Sequence, residues 1–228
     1  MQKQGKISVI IPTKDEAENM MPLALAIHKA LHNYDFDIII IDDSTSTKTI
    51  EAAKKAYTHL GIPITAIHRK KSGKGSAIRE GFSYVSSSEF VAIIDADLQY
   101  PPRRIPEMLD FLVHKNYDLV NANRIRHDPP HRRILGMFFN LLLRFLFHLR
   151  WDTQAGLKVM RKEVANNVSY TTDGWAWDVE FLVKAARRFK IGEFPVEFLQ
   201  RKKGKTKIHP FTSTFNMLFA LLKMRQKL

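Results

Sequence analysis

Apolar runs and helical periods alternate through the first half of the chain. Ile7-Ser8-Val9-Ile10-Ile11 predicts a buried strand that Pro12 ends. A helix is expected from about Glu16 to His32, with Met20, Leu23, Ile27 and Leu31 on its apolar side. Ile38-Ile39-Ile40-Ile41 is a wholly apolar second strand ended by Asp42-Asp43-Ser44, and a helix follows from about Lys48 to Leu60. Ile64-Thr65-Ala66-Ile67 is a short third strand. Ser72-Gly73-Lys74-Gly75-Ser76 then opens a helix to about Val85, Phe90 begins a fourth strand, and Ile105 to Lys115 supplies its helix. Strands this apolar, alternating with helices, predict an α/β fold with a mainly parallel, Rossmann-like sheet flanked by helices on both faces.

The second half has a different texture. Tyr117 to Asn121 reads as a fifth strand leading to Asn123-Arg124-Ile125-Arg126. Ile134 to Leu149 is almost wholly apolar, and its exceptions Gly136, Asn140, Arg144 and His148 are spaced four apart, one narrow stripe on a helix. Sixteen residues are short for a membrane span, and a central Arg there would cost about 2.5–3.5 kcal/mol. The segment 133–150 therefore predicts a helix lying in a membrane interface or buried against a partner. Phe211 to Leu228 repeats the character, with Phe215, Leu218, Phe219 and Leu222 followed by Lys223, Arg225 and Lys227. Trp177-Asp178-Val179-Glu180 sits at the start of a helix, where the dipole favours both acids. Ile191 to Phe198 is a late strand, and Pro195 places it at a sheet edge.

Charge sharpens this picture. The net charge is +13, yet residues 124–150 contribute +5 and residues 201–228 contribute +8, which leaves the rest of the chain neutral. Two basic segments on a neutral body point to a local anionic partner: phosphate groups, an anionic membrane surface or nucleic acid. There is no cysteine, which excludes disulfides, thiolate nucleophiles and thiolate zinc sites. The N-terminus lacks a signal-peptide apolar region, so a cytoplasmic protein is expected.

The chemistry concentrates in Asp95-Ala96-Asp97-Leu98-Gln99-Tyr100-Pro101-Pro102, at the end of the fourth strand. If the backbone stayed extended, Asp95, Asp97 and Gln99 would share one side. Oxygen ligands at a strand's C-terminal end suit Mg²⁺ or Mn²⁺ with positions left for substrate phosphates, and open α/β sheets bind ligands at that edge.

These stretches resemble the family 2 glycosyltransferases of the GT-A fold, and within them the polyprenyl-phosphate sugar synthases (the dolichyl-phosphate mannose and glucose synthases). The likeness runs from Ile7 to Lys207. It rests on Pro12-Thr13 with Glu16, Asp42-Asp43-Ser44, Gly73-Lys74-Gly75 with Ala77 and Arg79, and the metal motif Asp95 to Pro102. Asp152-Thr153-Gln154-Ala155-Gly156, Trp177 to Glu180, and Arg201 with Gly204-Lys205-Thr206-Lys207 complete it. The chain departs from the pattern at Thr45-Ser46-Thr47-Lys48, where Asp-Gly-Thr is usual, and at Lys74, where a small or apolar residue is common. It ends at Leu228 without the transmembrane helices some relatives append, so a peripheral enzyme on the cytoplasmic face of a membrane is expected.

The resemblance implies inverting transfer of a hexose from a nucleotide-diphosphate sugar, GDP-mannose or UDP-glucose, to a polyprenyl or dolichyl phosphate. It implies a metal, Mg²⁺ or Mn²⁺, on Asp97 and Gln99 with Asp95 nearby. Pro12, Thr13, Glu16, Asp43, Lys74, Arg79 and Asp95 would bind the nucleotide sugar. Arg124, Arg201, Lys205 and Lys207 would hold the acceptor phosphate, with Arg126, Arg132 and Arg133 as further candidates. A phosphate dianion is a competent nucleophile without a base, whereas a hydroxyl acceptor would need Asp152, Asp178 or Glu180 as one. Asp97, Arg124 and Asp178 are thus the candidate catalytic residues. Nucleic acid is not the expected partner, because the basic segments interleave with aliphatic runs and not with aromatic platforms. One catalytic domain over 1–200 is expected, with a donor half at 1–122, an acceptor half at 123–200 and a basic amphipathic segment at 201–228.

Overall fold

A computed structural model describes residues 5–70, 73–125, 147, 151–174 and 176–201. The apolar runs become β1 (Ile7–Thr13), β2 (Phe36–Asp42), β3 (Ile64–His68) and β4 (Phe90–Ile93). Between them lie α1 (Met20–Leu31), α2 (Lys48–His59) and α3 (Lys74–Ser83), and α4 (Arg104–His114) follows β4. The chain continues with β5 (Leu119–Ile125), β6 (Lys158–Arg161), α5 (Lys162–Asn167), α6 (Trp177–Ala186) and β7 (Ile191–Glu197).

The strands form one seven-stranded sheet in the order β3-β2-β1-β4-β6-β5-β7. It is parallel except for β6, which runs antiparallel between β4 and β5. Neither β6 nor α5 is among the elements expected from the sequence: Lys158 opens a run too short and too polar to read as a strand. β7 does lie at an edge, as Pro195 requires.

Alternation along the strands sends successive side chains to opposite layers. Ile7, Val9, Ile11, Ile38 and Ile40 pack with Leu23 and Ile27 of α1, Ile50 of α2 and Met108 of α4. Ile10, Ile39, Ile41, Val91 and Ile93 pack with Ile78 of α3, Val164 of α5 and Phe181 of α6. Both faces are therefore covered, and each fully buried aliphatic side chain contributes about 1.5–3 kcal/mol.

The segments 126–146 and 202–228 lie outside the described residues. So do the expected interface helix at 133–150 apart from residue 147, the amphipathic end, Arg126, Arg132, Arg133, Lys205 and Lys207. Among the described residues no helix is long and apolar enough to cross a membrane.

Three parallel strand ends are tied by one carboxylate. Asp42 is fully buried at the end of β2. It accepts from the Thr13 hydroxyl at 2.9 Å and the Ser44 hydroxyl at 2.6 Å, and it meets His68 Nδ1 at 2.9 Å. Replacing it strands buried polar partners, so Asp42→Ala is expected to lower the urea unfolding free energy by about 3 kcal/mol. Arg103→Ala, which removes the solvent-facing Arg103–Glu197 pair, is expected to change it by less than about 1 kcal/mol.

Candidate active site

The sheet topology brings several loops to one edge. The C-terminal ends of β1, β2, β4, β5 and β7 lie there with the loop that enters β6. Charged side chains from these loops form a run of alternating sign. Glu16 accepts from Asn19 Nδ2 at 2.6 Å and from Arg201, whose guanidinium also lies 3.8 Å from Asp97. Asp95 pairs with Lys74 at 2.6 Å. Asp178 pairs with Lys158 at 2.5 Å, and both are almost wholly buried.

β4 ends at Ile93, so the metal motif is a turn and not an extended strand. Leu98 adopts the left-handed conformation with φ 60°, and the Gln99 N–H donates to Asp97 Oδ1 at 3.1 Å. The expected alternation of Asp95, Asp97 and Gln99 is corrected accordingly. Gln99 Nε2 donates to the Leu199 carbonyl at 3.0 Å, and the Leu199 N–H donates back to the Gln99 carbonyl at 2.9 Å. The amide thus fastens the end of β7 to the turn, with Oε1 as its remaining ligand atom.

Burial, reinforced by the charge of Asp95, pushes the Asp97 carboxyl up to about 6, although Arg201 and Lys74 oppose this. A hard divalent cation would relieve the burial and negative charge that act on Asp97. Among the described residues no cluster of three or more His, Cys, Asp or Glu assembles, so the groups that would be available to a cation here are Asp95, Asp97 and the Gln99 amide. Burial lowers the Lys74 pKa, but Asp95 and Asp178 outweigh it and the net shift is upward, so its ammonium stays charged.

The Gly-rich turn does not cradle an anion with its backbone. The Gly73 N–H donates to Asp43 at 2.8 Å, and the N–H groups of Gly75 and Ser76 donate to the Asp173 carbonyl. A Cβ at Gly75 would collide with the Thr172 carbonyl, so this glycine serves close packing. Arg79 pairs with Asp173, donates to the Tyr170 carbonyl at 3.2 Å and lies over the Tyr170 ring. The structure brings it to the 170–173 strap. Lys74 is the member of this segment that meets Asp95.

Arg69 grips Asp43 through one guanidinium edge, Nε and Nη2, while its Nη1 donates to Glu80 and its Nη2 also donates to the Ser76 hydroxyl. Pro12 stays within β1, and Thr13 is committed to Asp42. Arg124 donates from Nε and Nη2 to the two Asp152 oxygens at 2.6 and 2.7 Å, a bidentate pair in which Nη1 takes no part. Glu180 accepts from the Thr171 and Thr172 N–H groups and from Lys184, so it anchors the strap. Burial raises the Asp178 pKa, against the pull of Lys158.

Sequence reasoning missed Arg69 and Lys158. The β2–β3 register pairs Asp42 with His68, so the next residue, Arg69, falls beside Asp43. The signal for Lys158 is a lone charge inside Leu157-Lys158-Val159-Met160.

The glycosyl transferase family 2 profile matches residues 8–169. The chain belongs to this family. It is 31% identical to a dolichol-phosphate mannosyltransferase of Pyrococcus furiosus over 215 residues, 89% of this chain and 59% of that relative. It therefore spans less than two thirds of that relative's length. Its fold is the GT-A type. It is similar to glucosyl-3-phosphoglycerate synthase of Mycobacterium tuberculosis in complex with Mn²⁺, UDP and glucosyl-3-phosphoglycerate, with TM-score 0.73, 17% identity, and 97% of this chain and 80% of that one covered. The complex of the same synthase with Mn²⁺, UDP and phosphoglyceric acid gives TM-score 0.75 at 17% identity, covering 97% and 78%.

Gly156 faces the Asp95 carboxylate so closely that a Cβ would overlap it. Gly156→Ala is expected to lower glycosyl-transfer turnover about 100-fold by displacing Asp95, with the melting temperature near that of the wild type. Steady-state kinetics beside a thermal melt checks this.

Proposed function

We propose that the chain moves a hexose from a nucleotide-diphosphate sugar to a polyprenyl phosphate at a membrane surface. The observation that carries the choice of acceptor is the state of the candidate bases. Asp152 is held bidentate by Arg124, and Asp178 is locked on Lys158 with almost no solvent contact. Glu180 is occupied by two backbone N–H groups and Lys184. A hydroxyl acceptor needs one of them as a proton acceptor, whereas a phosphate dianion does not. The likeness to a dolichol-phosphate mannosyltransferase supports the same acceptor class.

In this reading Asp95, Asp97 and Gln99 Oε1 hold Mg²⁺ or Mn²⁺, and the ion supplies Lewis-acid neutralisation of the departing nucleoside diphosphate. Glu16 and Asp43 accept hydrogen bonds from the ribose or base, each fixed beforehand by Arg201 or Arg69. Lys74, charged and beside Asp95, meets the diphosphate. Arg124 offers Nη1 to the acceptor phosphate from a guanidinium plane that Asp152 holds still. Arg201 starts the basic segment that contains Lys205 and Lys207, the further acceptor-phosphate cations. Residues 1–122 provide the donor half and 123–200 the acceptor half. The apolar 134–149 and basic 211–228 segments dock the enzyme peripherally on the cytoplasmic face, each basic residue near an anionic leaflet contributing about 1 kcal/mol.

The test is nucleotide release from UDP-glucose, GDP-mannose and UDP-GlcNAc with Mg²⁺ or Mn²⁺, with and without polyprenyl phosphate in detergent. Release that depends on lipid phosphate with one donor, lowered about 100-fold or more in Asp97→Ala and abolished by chelation, is expected. Release that ignores lipid phosphate and follows a hydroxyl acceptor would contradict the acceptor assignment.

A further inference from the structure

The glycosyl-transfer reading uses Lys158 only as the group that occupies Asp178, yet its placement is costly. It lies in the middle of the sheet on β6, opposite Ile93 of β4 and Asn121 of β5, and is fully buried. An ammonium there is tolerated only when paired and hydrogen-bonded. It donates to Asp178 Oδ1 at 2.5 Å and to the Ala155 carbonyl at 2.5 Å, and it lies 5.3 Å from the centre of the Trp177 ring.

These contacts reach the two structures that flank the carboxylates. The Ala155 bond ties down the turn just before β6. The next residue, Gly156, donates its N–H to the Tyr100 hydroxyl at 2.8 Å and rests against the Asp95 carboxylate. Tyr100 closes the metal-motif turn and is itself buried. The Asp178 bond fixes the first turn of α6 on the other side. One ammonium therefore sets the position of Ala155–Gly156, on which Asp95 leans, and of the helix start beside it.

We propose that Lys158 is a positioning residue of the donor site: it never touches substrate, but holds the Ala155–Gly156 turn so that Asp95 and Tyr100 keep the geometry that a divalent cation and a nucleoside diphosphate require. The proposal rests on the donor-site reading above. Electrostatics agrees with the geometry. Burial lowers the Lys158 pKa, Asp178 raises it, and Lys74 and Asp95 both act on it, so Lys158 sits within the field of the site.

A buried ion pair exchanged for apolar residues of similar size often keeps or gains stability, while removal of one partner leaves a lone buried charge. The double variant Lys158→Met/Asp178→Leu uses this to separate folding from positioning. Binding of UDP and GDP, with and without Mn²⁺, is measured by calorimetry beside thermal melts, so no turnover is needed. The expected result is a double variant with a melting temperature near that of the wild type and Mn²⁺-dependent nucleotide affinity about 10–100-fold weaker, the range seen when outer partners of a metal site are removed. Leu31→Ala, a cavity at the C-terminal end of α1 in the opposite layer, is expected to lower the melting temperature yet bind within about threefold of the wild type. Lys158→Arg is a second probe that keeps the charge; it is expected to stay folded and bind more weakly, because a planar guanidinium cannot reproduce both bonds. Wild-type affinity in either Lys158 variant overturns the proposal, as does a loss that merely follows melting temperature across all the variants. Absence of Mn²⁺-dependent nucleotide binding in the wild-type protein would instead remove the donor-site reading, and this proposal with it.

Discussion

Carboxylates gathered at the end of a sheet repel one another as water is excluded, and this repulsion is the constraint around which the rest of the molecule is arranged. Asp95 and Asp97 are close enough, and buried enough, that the Asp97 carboxyl rises to about 6. The described structure offsets the charge with cations drawn from distant parts of the sequence. Lys74 comes from the start of α3, and Arg201 from just beyond β7. In the proposed function a donor diphosphate would add further negative charge at this edge, and its binding would be coupled to the same balance. The Gln99–Leu199 clasp then makes the end of β7 move with the turn.

The first half of this architecture was legible because its signals are local. Apolar runs gave β1 to β4, helical periods gave α1 to α4, and Pro195 put β7 at an edge. The geometry of the Asp95–Gln99 turn was not legible: nothing in those residues announces that Leu98 turns left-handed. β6 escaped because a strand opening with a buried lysine makes sense only when Asp178 and Ala155 are known to meet it. The partner of Arg79 was hidden for a related reason. The position of Arg79 in the Gly-rich segment says that it lies near the donor edge, whereas its partner Asp173 lies 94 residues away and no periodicity connects them.

The glycines of the Lys74 segment show how one motif can serve different physics. A Gly-rich turn at a helix start is commonly read as a phosphate cradle. Here its N–H groups are spent on Asp43 and on the Asp173 carbonyl, and the small residues let the 170–173 strap close over α3. What the turn offers the site is a side chain, Lys74. The second half follows the same logic. Its acids Asp152, Asp178 and Glu180 anchor Arg124, Lys158 and the strap. In the proposed transfer to a lipid phosphate these acids would hold structure, and no carboxylate would be needed as a base.

The most direct test of the account is anomalous diffraction at the manganese edge from crystals grown with Mn²⁺ and a nucleoside diphosphate. The account predicts a peak bound by the Asp97 carboxylate and Gln99 Oε1, beside Asp95, with Lys74 turned to the diphosphate. A peak elsewhere, or a nucleotide bound at this edge with no metal at saturating Mn²⁺, would contradict it.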